Sequence, residues 1–485
     1  MADTLTVIGA GPVGSLLALT LARRGFDVEV YERRPDMRRH AISAGRSINL
    51  AVSTRGLHAL HQVGLEEEVL RQAVPMYGRT MHAVGGELTF QRYGKDDTQF
   101  INSMSRGGIN RMLMDRAEGA HAGEGVGGAR GGRVRIHFEQ RLLAYDPATK
   151  QARFRDEPSG REYTRDVPVA FGTDGTASVL RGAVMEAAGG TAASDVLDSG
   201  YKELTMPPSA GGKGVGPDGR FAMEPNALHI WPRGSFMLIA LANPDGSFTC
   251  TLFLPFEPPA PGHPSFADLK TPEAAQAFFE KHFPDTLPLI PDLAEQFTAA
   301  PLGQMVTVRT WPWTHGTALL LGDASHGIVP FFGQGMNAGF EDCTVLDGLL
   351  GARLAKEGAE RLDWAALFAD FAHVRKPNTD AIAELALDNF LEMRDRVGDR
   401  HFLLQKAVEV ELQKRLPGRY VSRYGLVTFS RTPYRVALEA GRIQQALLDE
   451  LTQGLTRPEE VDWARAERLV DERLVPLLRS PAAHP

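Results

Sequence analysis

The chain begins TLTVIGAGPVGSLLALTLARRGFDVEVYE, and no other stretch restricts its fold so strongly. A β-branched run from Thr4 to Ile8 meets Gly9-Ala10-Gly11-Pro12-Val13-Gly14, a helical apolar pattern follows from Pro12 to Arg24, and Asp27 to Glu32 reads as a second strand. The result is a βαβ unit of Rossmann type. Gly9 permits a tight turn, Gly11 lets backbone amides approach a pyrophosphate at the helix N-terminus, and Gly14 allows close packing of helix on strand. Glu32, 18 residues beyond Gly14, can accept hydrogen bonds from ribose hydroxyls. The same spacing recurs at Gly123-Glu124-Gly125-Val126-Gly127-Gly128, but no strand precedes it and no helix follows, so that match reads as a surface loop.

An acid at Glu32 favours an adenosine with a free 2′-hydroxyl, as in FAD or NAD, over tightly held NADP. Two later segments separate the first pair. Gly172 to Arg181, GTDGTASVLR, follows the apolar run VPVAF and carries Asp174-Gly175. Gly322-Asp323 follows the apolar run TALLL, where an acid can hold the polyol hydroxyls that FAD has in its ribityl chain and NAD lacks. Gly333-Gln334-Gly335 then opens a helix at Met336, presenting amides and a positive helix end to negative charge on a reduced flavin ring. Taken singly, Asp174 and Asp323 read equally well as turn caps; taken in order with the first motif, they favour FAD.

At 485 residues the chain exceeds one ordinary domain, and its 43% hydrophobic content suits two closely packed globular ones. A net charge of −7 with scattered basic residues argues against nucleic acid as a partner. Cys250 and Cys343, the only cysteines, read as buried small hydrophobes in a reducing, cytoplasmic setting. The apolar N-terminus lacks the basic region of a signal peptide, no run reaches the roughly 18 to 20 apolar residues of a spanning helix, and the charged tail from Arg431 adds none, so no membrane association is expected.

The fold class expected is α/β: a Rossmann-type FAD-binding domain with an inserted antiparallel β-sheet substrate domain and a C-terminal helical region. The runs flanking Gly85-Gly86 form a hairpin, and Ala227 to Phe256 carries three strand-like runs divided by turns. The FAD-binding domain is expected in three parts, 1–75, 101–186 and 306–375. The substrate domain supplies the hairpin 76–100 and the antiparallel sheet 187–305, and helices over 376–485 close the site. From Met336, apolar residues at three- and four-residue spacing predict a helix with one buried face. The glycine-rich tracts Gly119 to Gly132 and Ala210 to Gly219 read as surface loops.

In this order the three glycine segments resemble the flavoprotein aromatic hydroxylases, the class A monooxygenases related to p-hydroxybenzoate hydroxylase. Longer strings narrow the resemblance to the kynurenine 3-monooxygenase family: GRSINLAVSTRG (Gly45 to Gly56), MEPNALHIWPR (Met223 to Arg233), IVPFFGQGMNAGFEDC (Ile328 to Cys343), NFLEMR (Asn389 to Arg394) and VTFSR (Val427 to Arg431). It extends from about Thr4 to about Tyr434. The C-terminal membrane segment of the family's mitochondrial members is missing here, which points to a soluble, bacterial-type enzyme. The resemblance implies bound, non-covalent FAD, transient NADPH that visits along a surface groove, and O2 as co-substrates. It also implies hydroxylation of L-kynurenine to 3-hydroxykynurenine within tryptophan degradation. A hydroxylase of phenolic acids such as a hydroxybenzoate and a flavin-binding interaction protein without turnover are the other readings, and pairing as a homodimer stays open.

Roles carried over with the resemblance put the substrate carboxylate on Arg79, with Tyr93 beside it and Asn389 and Tyr424 as further polar contacts. A bidentate arginine with a phenol beside it suits an α-amino acid carboxylate, although Arg79 by itself reads as a surface arginine on a strand. To the glycines 9, 11, 14 and 335 and to Asp174, the resemblance adds cofactor contacts at Val13, Glu32, Arg33, Ala51, Arg106, Asp323, Met336 and Asn337. Phe331 and Phe332 are candidates for an aromatic wall beside the ring, with core packing as the alternative, and the same choice applies to Leu228 and Ile230 on one face of a strand. No protein residue is expected to be catalytic: the substrate's own aromatic amine enriches its ring, and His326 reads as a local hydrogen-bonding group. His58 and His61 lack a third ligand, so no metal is expected.

Overall fold

The computed structural model describes residues 4–39, 49–119, 131–216, 218–392 and 400–483. The opening βαβ unit is present as strand Leu5–Ile8, helix Pro12–Arg23 and strand Val28–Tyr31, and Glu32 lies one residue past the second strand. These strands occupy the middle of a six-stranded sheet in the order 314–315, 318–320, 170–172, 5–8, 28–31, 134–137. All its pairings are parallel except that of the two-residue edge strand Thr314–His315. Leu5, Val7, Val28, Val30, Phe171, Leu319 and Leu320 are buried, as expected for strands covered on both faces. Chain segments far apart in sequence thus end side by side: the turns after Ile8, Gly172 and Leu320 leave the same edge of one sheet.

The second large sheet has seven strands, in the order 303–311, 191–206, 248–255, 237–242, 227–232, 78–82, 88–92. The meander Ala227–Pro232, Met237–Ala242, Phe248–Pro255 and the hairpin Gly78–His82, Leu88–Arg92 form as their turn residues require. The two units join through a parallel pairing, Gly78 opposite Ala227 and Arg79 opposite Leu228. Only a long crossover permits that arrangement, and here it includes the whole stretch between residues 92 and 227. Two of the expected boundaries fall inside strands. The 305/306 division cuts Gly303–Trp311, which pairs with Thr191–Met206, so the sheet continues to Trp311; the 75/76 division cuts Val74–Met76. A three-stranded meander, Gln140–Asp146, Gln151–Asp156, Glu162–Asp166, is an addition that the α/β pattern did not announce.

Alternation gives the seven-stranded sheet two different faces. Trp231, Leu238, Ala240, Cys250 and Leu252 pack behind it against the helices Pro272–His282 and Leu293–Ala299, whereas Met81, Ile230, Met237 and Phe253 face the C-terminal helices. Those helices are Trp364–Leu391, Arg400–Arg415, Arg423–Thr428 and Tyr434–Thr452, followed by Trp463–Arg473 and Val475–Arg479. Both cysteines are buried and unpaired, as expected, and burial raises both thiol pKa values, that of Cys250 to about 12. Of the glycine-rich tracts, 120–130 lies outside the described residues, together with the second glycine match; Ala210–Gly212 is an exposed 3-10 turn. No helix among the described residues is long and apolar enough to cross a membrane.

Gly14 shows how tightly the first helix sits on its strand. A Cβ there would lie 1.9 Å from the Gly9 carbonyl oxygen and 2.5 Å from Thr173 Oγ1, and the first of these is backbone. Gly14→Ala is therefore expected to lower the unfolding free energy by about 1 to 3 kcal/mol, read as a reduced denaturation midpoint at unchanged slope.

Candidate active site

The three strand-end turns, the front of the seven-stranded sheet and the C-terminal helices enclose one cleft of about 600 Å³. That volume lies within the range of small-molecule and cofactor sites. Gly9, Gly11, Val13, Glu32 and Arg33 line it from the first βαβ unit. Ala51, Arg106 and Asp174 line it from the middle of the chain, and Asp323, Gly335 and Met336 from the third segment. Arg79, Tyr93, Phe331, Phe332, Asn389 and Tyr424 line its other part, along with Leu228 and Ile230. Two of the expected contacts do not line it. Gly14 is taken up by helix packing, and Asn337, fully buried, accepts the Ser53 N–H at 3.0 Å and donates to the carbonyls of Ala51 (2.8 Å) and Gly333 (2.9 Å). Asn337 therefore shapes the wall from behind.

The first turn is built around Glu32. Its Oε2 accepts the Ala10 N–H at 2.9 Å, and its Oε1 accepts the backbone N–H and Nε–H of Arg34, both at 2.9 Å. Gly9 needs its glycine for the fold, with φ +100° and a Cβ position 2.7 Å from the Thr173 carbonyl oxygen. Gly11 has no such need: a Cβ there would meet no protein atom within 4 Å. A glycine that the protein's own packing does not require, at a helix N-terminus facing a cleft, fits the close approach of a phosphate. Asp174 caps the helix Val179–Ala188, accepting from Ser178 Oγ at 2.5 Å and from the Val179 N–H at 2.8 Å, and burial raises its pKa despite these donors. The turn-cap reading thus holds for Asp174, which also borders the cleft. Asp323 differs, because among the described residues nothing donates a hydrogen bond to its carboxylate. The open space at Gly11, the unclaimed acid at Asp323 and the free amides of Gly335 and Met336 at a helix N-terminus together fit an FAD: pyrophosphate, ribityl hydroxyls and ring in that order.

At the far end, Arg79 projects from the sheet beside Leu228. Among the described residues its guanidinium makes neither a hydrogen bond nor an ion pair, an unusual state for a half-buried arginine. Tyr93 and Tyr424 stack beside it with centroids 5.3 Å apart, and Phe332 stacks on Tyr424 at 5.6 Å. Burial pushes both phenols up, Tyr424 to about 12, against the opposing charge of Arg79, so both remain hydrogen-bond donors throughout the neutral range. Asn389 Nδ2 donates to the Phe331 carbonyl at 2.7 Å, and Phe331 stacks on Phe390 at 4.3 Å. Behind Arg79, Glu392 bridges Arg423 (3.1 Å) and Lys406 (3.4 Å); burial would raise its pKa, but Lys406, Arg423 and Arg79 outweigh that and hold it below the ordinary value. The site can therefore grip one carboxylate at Arg79 and hold an aromatic ring between Phe331, Ile230 and the floor of the cleft.

Sequence reasoning did not identify Gln140, Arg141 and Leu142, which reach the cleft from the three-stranded meander, or Tyr201 and Met305 from the large sheet. The alternating run QRLLAYDPATKQARFRD, with its Asp-Pro turn, carried the signal for the first group. His326 Nε2 hydrogen-bonds Asp342 at 2.6 Å, which bears out its reading as a local hydrogen-bonding group. No group of three metal-binding side chains occurs among the described residues, His58 and His61 included. Of the longer sequence strings, residues 45–48 and 393–394 lie outside the described residues.

A family model described as an FAD binding domain matches residues 1–366. The chain is 52% identical over 481 residues to the kynurenine 3-monooxygenase of Myxococcus xanthus (strain DK1622), covering 99% of this chain and 97% of that protein. It is 45% identical over 475 residues to the kynurenine 3-monooxygenase of Xanthomonas campestris pv. campestris (strain 8004), covering 98% and 97%. Among solved structures, the tetrameric form of 2-methyl-3-hydroxypyridine-5-carboxylic acid oxygenase superposes with a TM-score of 0.61 at 19% identity, covering 85% of this chain and 98% of that one. PqsL of P. aeruginosa in complex with 2-aminobenzoylacetate gives 0.60 at 20% identity, covering 81% and 97%. These two structures bear on the fold alone.

The contrast between Gly11 and Gly14 can be tested. Gly11→Val is expected to leave the thermal midpoint of the apoprotein within about 1 °C, since the new side chain starts in open space, while weakening FAD binding at least about tenfold in a fluorescence titration.

Proposed function

The chain belongs to the kynurenine 3-monooxygenase family of FAD-dependent hydroxylases, and from that premise we propose that it converts L-kynurenine, NADPH and O2 to 3-hydroxykynurenine, NADP+ and water in the cleft described above. The relatives favour this reading over a phenolic-acid hydroxylase and over a flavin-binding protein without turnover. Held there, FAD would supply the redox chemistry that couples NADPH oxidation and O2 to hydroxylation of the substrate ring.

The protein's own residues bind and exclude. Gly9, Gly11 and Glu32 would hold the pyrophosphate and adenosine ribose, Asp323 the ribityl hydroxyls, and the amides of Gly335 and Met336 the electron-rich edge of the ring. Arg79 would take the substrate carboxylate, with the phenols of Tyr93 and Tyr424 and the amide of Asn389 completing the grip. The aniline ring then lies among Phe331, Leu228 and Ile230, where apolar walls keep water from the activated oxygen. No protein acid or base is needed to enrich that ring, because the substrate's amine does so. In this reading the six-stranded sheet with its glycine turns serves the cofactor, the front of the seven-stranded sheet serves the substrate, and the C-terminal helices close over both. NADPH visits from solvent, and the two unpaired thiols accord with a cytoplasmic location.

One observation carries the substrate assignment: a half-buried arginine whose guanidinium makes no hydrogen bond or ion pair among the described residues, at the end of the cleft opposite the glycine turns. The purified, flavin-loaded protein is expected to oxidise NADPH when L-kynurenine is added, with 3-hydroxykynurenine identified by mass in near-equal amount. Stimulation by simple phenolic acids and not by kynurenine would overturn the assignment. Arg79→Ala is expected to weaken kynurenine binding by about 2 to 4 kcal/mol while FAD stays bound, because a charge-assisted pair is removed at the substrate end only.

A further inference from the structure

The short segment that carries Asp323 is tied from behind to a buried carboxylate. Asp342 lies on the helix Gly335–Glu357 and is fully buried. Its Oδ2 accepts the Gly322 N–H at 2.9 Å and the His326 Nε2–H at 2.6 Å, and its Oδ1 accepts Arg375 Nε–H at 2.8 Å. Burial would raise the pKa of this carboxyl, but His326 and Arg375 outweigh that and keep it below the ordinary value, so it is an ionised, acceptor-only group facing three donors.

Gly322 and His326 bracket Asp323. Gly322 has φ +57° and ψ −142°, a backbone conformation that side chains disfavour, and the helix Asp323–His326 has four residues, too few to fix its own direction. Both ends of this short segment are tied to a single carboxylate behind it, while the Asp323 side chain between them turns to the cleft. We propose that Asp342 is a positioning residue for cofactor binding: it fixes the Gly322–His326 segment so that the Asp323 carboxylate faces the ribityl hydroxyls. This rests on the FAD reading given above. Asparagine replaces one acceptor oxygen by an NH2 group and the charge by none, so its N–H would face either Arg375 Nε–H or the Gly322 and His326 donors, and the buried Arg375 would lose its counter-charge in both orientations.

A double-mutant cycle on the affinity of the full-length apoprotein for FAD tests this, with the thermal midpoint of each apoprotein as a folding control. Asp342→Asn and Asp323→Ala are each expected to weaken FAD binding by about tenfold, and the double variant to bind within about twofold of Asp323→Ala alone, because a misaimed carboxylate and a missing one are the same loss. If Asp342→Asn does not fold, His326→Ala, which removes one of the segment's two bonds to Asp342 and leaves the Arg375 pair and the Thr310 and Arg181 bonds to the segment's carbonyls intact, takes its place in the cycle with the same expected coupling. Losses that multiply in the double variant, or undiminished affinity in both Asp342→Asn and His326→Ala, would overturn the proposal while leaving the FAD reading standing. An unmodified apoprotein that failed to bind FAD would overturn both.

Discussion

Two buried arginines hold the cleft together. Arg375, on the helix Trp364–Leu391, pairs with Asp342 at 2.8 Å and with Glu341 at 2.7 Å, and Arg55, on the helix Thr54–Gln62, pairs with the other oxygen of Glu341 at 2.9 Å. Arg55 also donates to the carbonyls of Val427 and Thr432 and lies 3.9 Å from the centroid of the Tyr434 ring, whose hydroxyl donates to Gln334 at 2.8 Å. Charges this deeply buried are tolerable only when every one is paired, so the ends of the network must be assembled together. Those ends are the Gly322–Asp323 turn, the start of the helix at Gly335 and the C-terminal segment that carries Tyr424. The Asp323 end and the Tyr424 end of the cleft are therefore built on one set of ion pairs.

The seven-stranded sheet shows the same economy through alternation. Arg79 and Leu228 stand opposite one another on the front, while their neighbours Thr80 and His229 turn to the back. There His229 meets His82 at 2.8 Å, and Asp285 accepts the Trp231 Nε1–H at 2.7 Å. The back is a closed, satisfied core. The front carries one guanidinium, that of Arg79, without a hydrogen bond or ion pair among the described residues. A one-residue slip between these two strands would exchange the faces, and the parallel join of Gly78–His82 to Ala227–Pro232 is what fixes that register.

How much of this could be read in the sequence follows from the range of the forces involved. The βαβ unit, the hairpin at Gly85-Gly86, the meander from Ala227 and the order of the three glycine segments are local in origin, since turn residues and periodicity within a few positions determine them. Arg79, Tyr93, Asn389 and Tyr424 could be chosen only by resemblance, because a strand arginine and a helix tyrosine carry no local mark of facing the same cleft. Asp342 and Arg375 were invisible for a related reason: an acid in FEDC and an arginine in VRKP read as solvated helix faces until tertiary structure buries them against each other. The meander 140–166 had a local signal, but the α/β reading of the flanking segments overrode it. The parallel join of the two sheet portions depends on pairing across more than a hundred residues, which no window of sequence contains.

The electrostatic plan of the cleft follows from what is paired and what is left open. Glu32 and Asp174 accept hydrogen bonds from the protein, Glu392 is held between two cations, and the phenols of Tyr93 and Tyr424 are kept protonated by burial. Of the charged groups that line the cleft, the exposed Arg33 and Arg106 and the partly buried Asp323 and Arg79 make no side-chain hydrogen bond or ion pair among the described residues; the partly buried two lie at opposite ends, with mostly aliphatic and aromatic walls between them. Each open charge costs desolvation, a cost that a complementary ligand group offsets. In the proposed reading, the hydroxyls of a polyol would meet that need at Asp323 and a carboxylate at Arg79, with an aromatic ring in the apolar space between. Selection in that reading is thus a matter of where charge has been left open, and no reactive side chain is assigned.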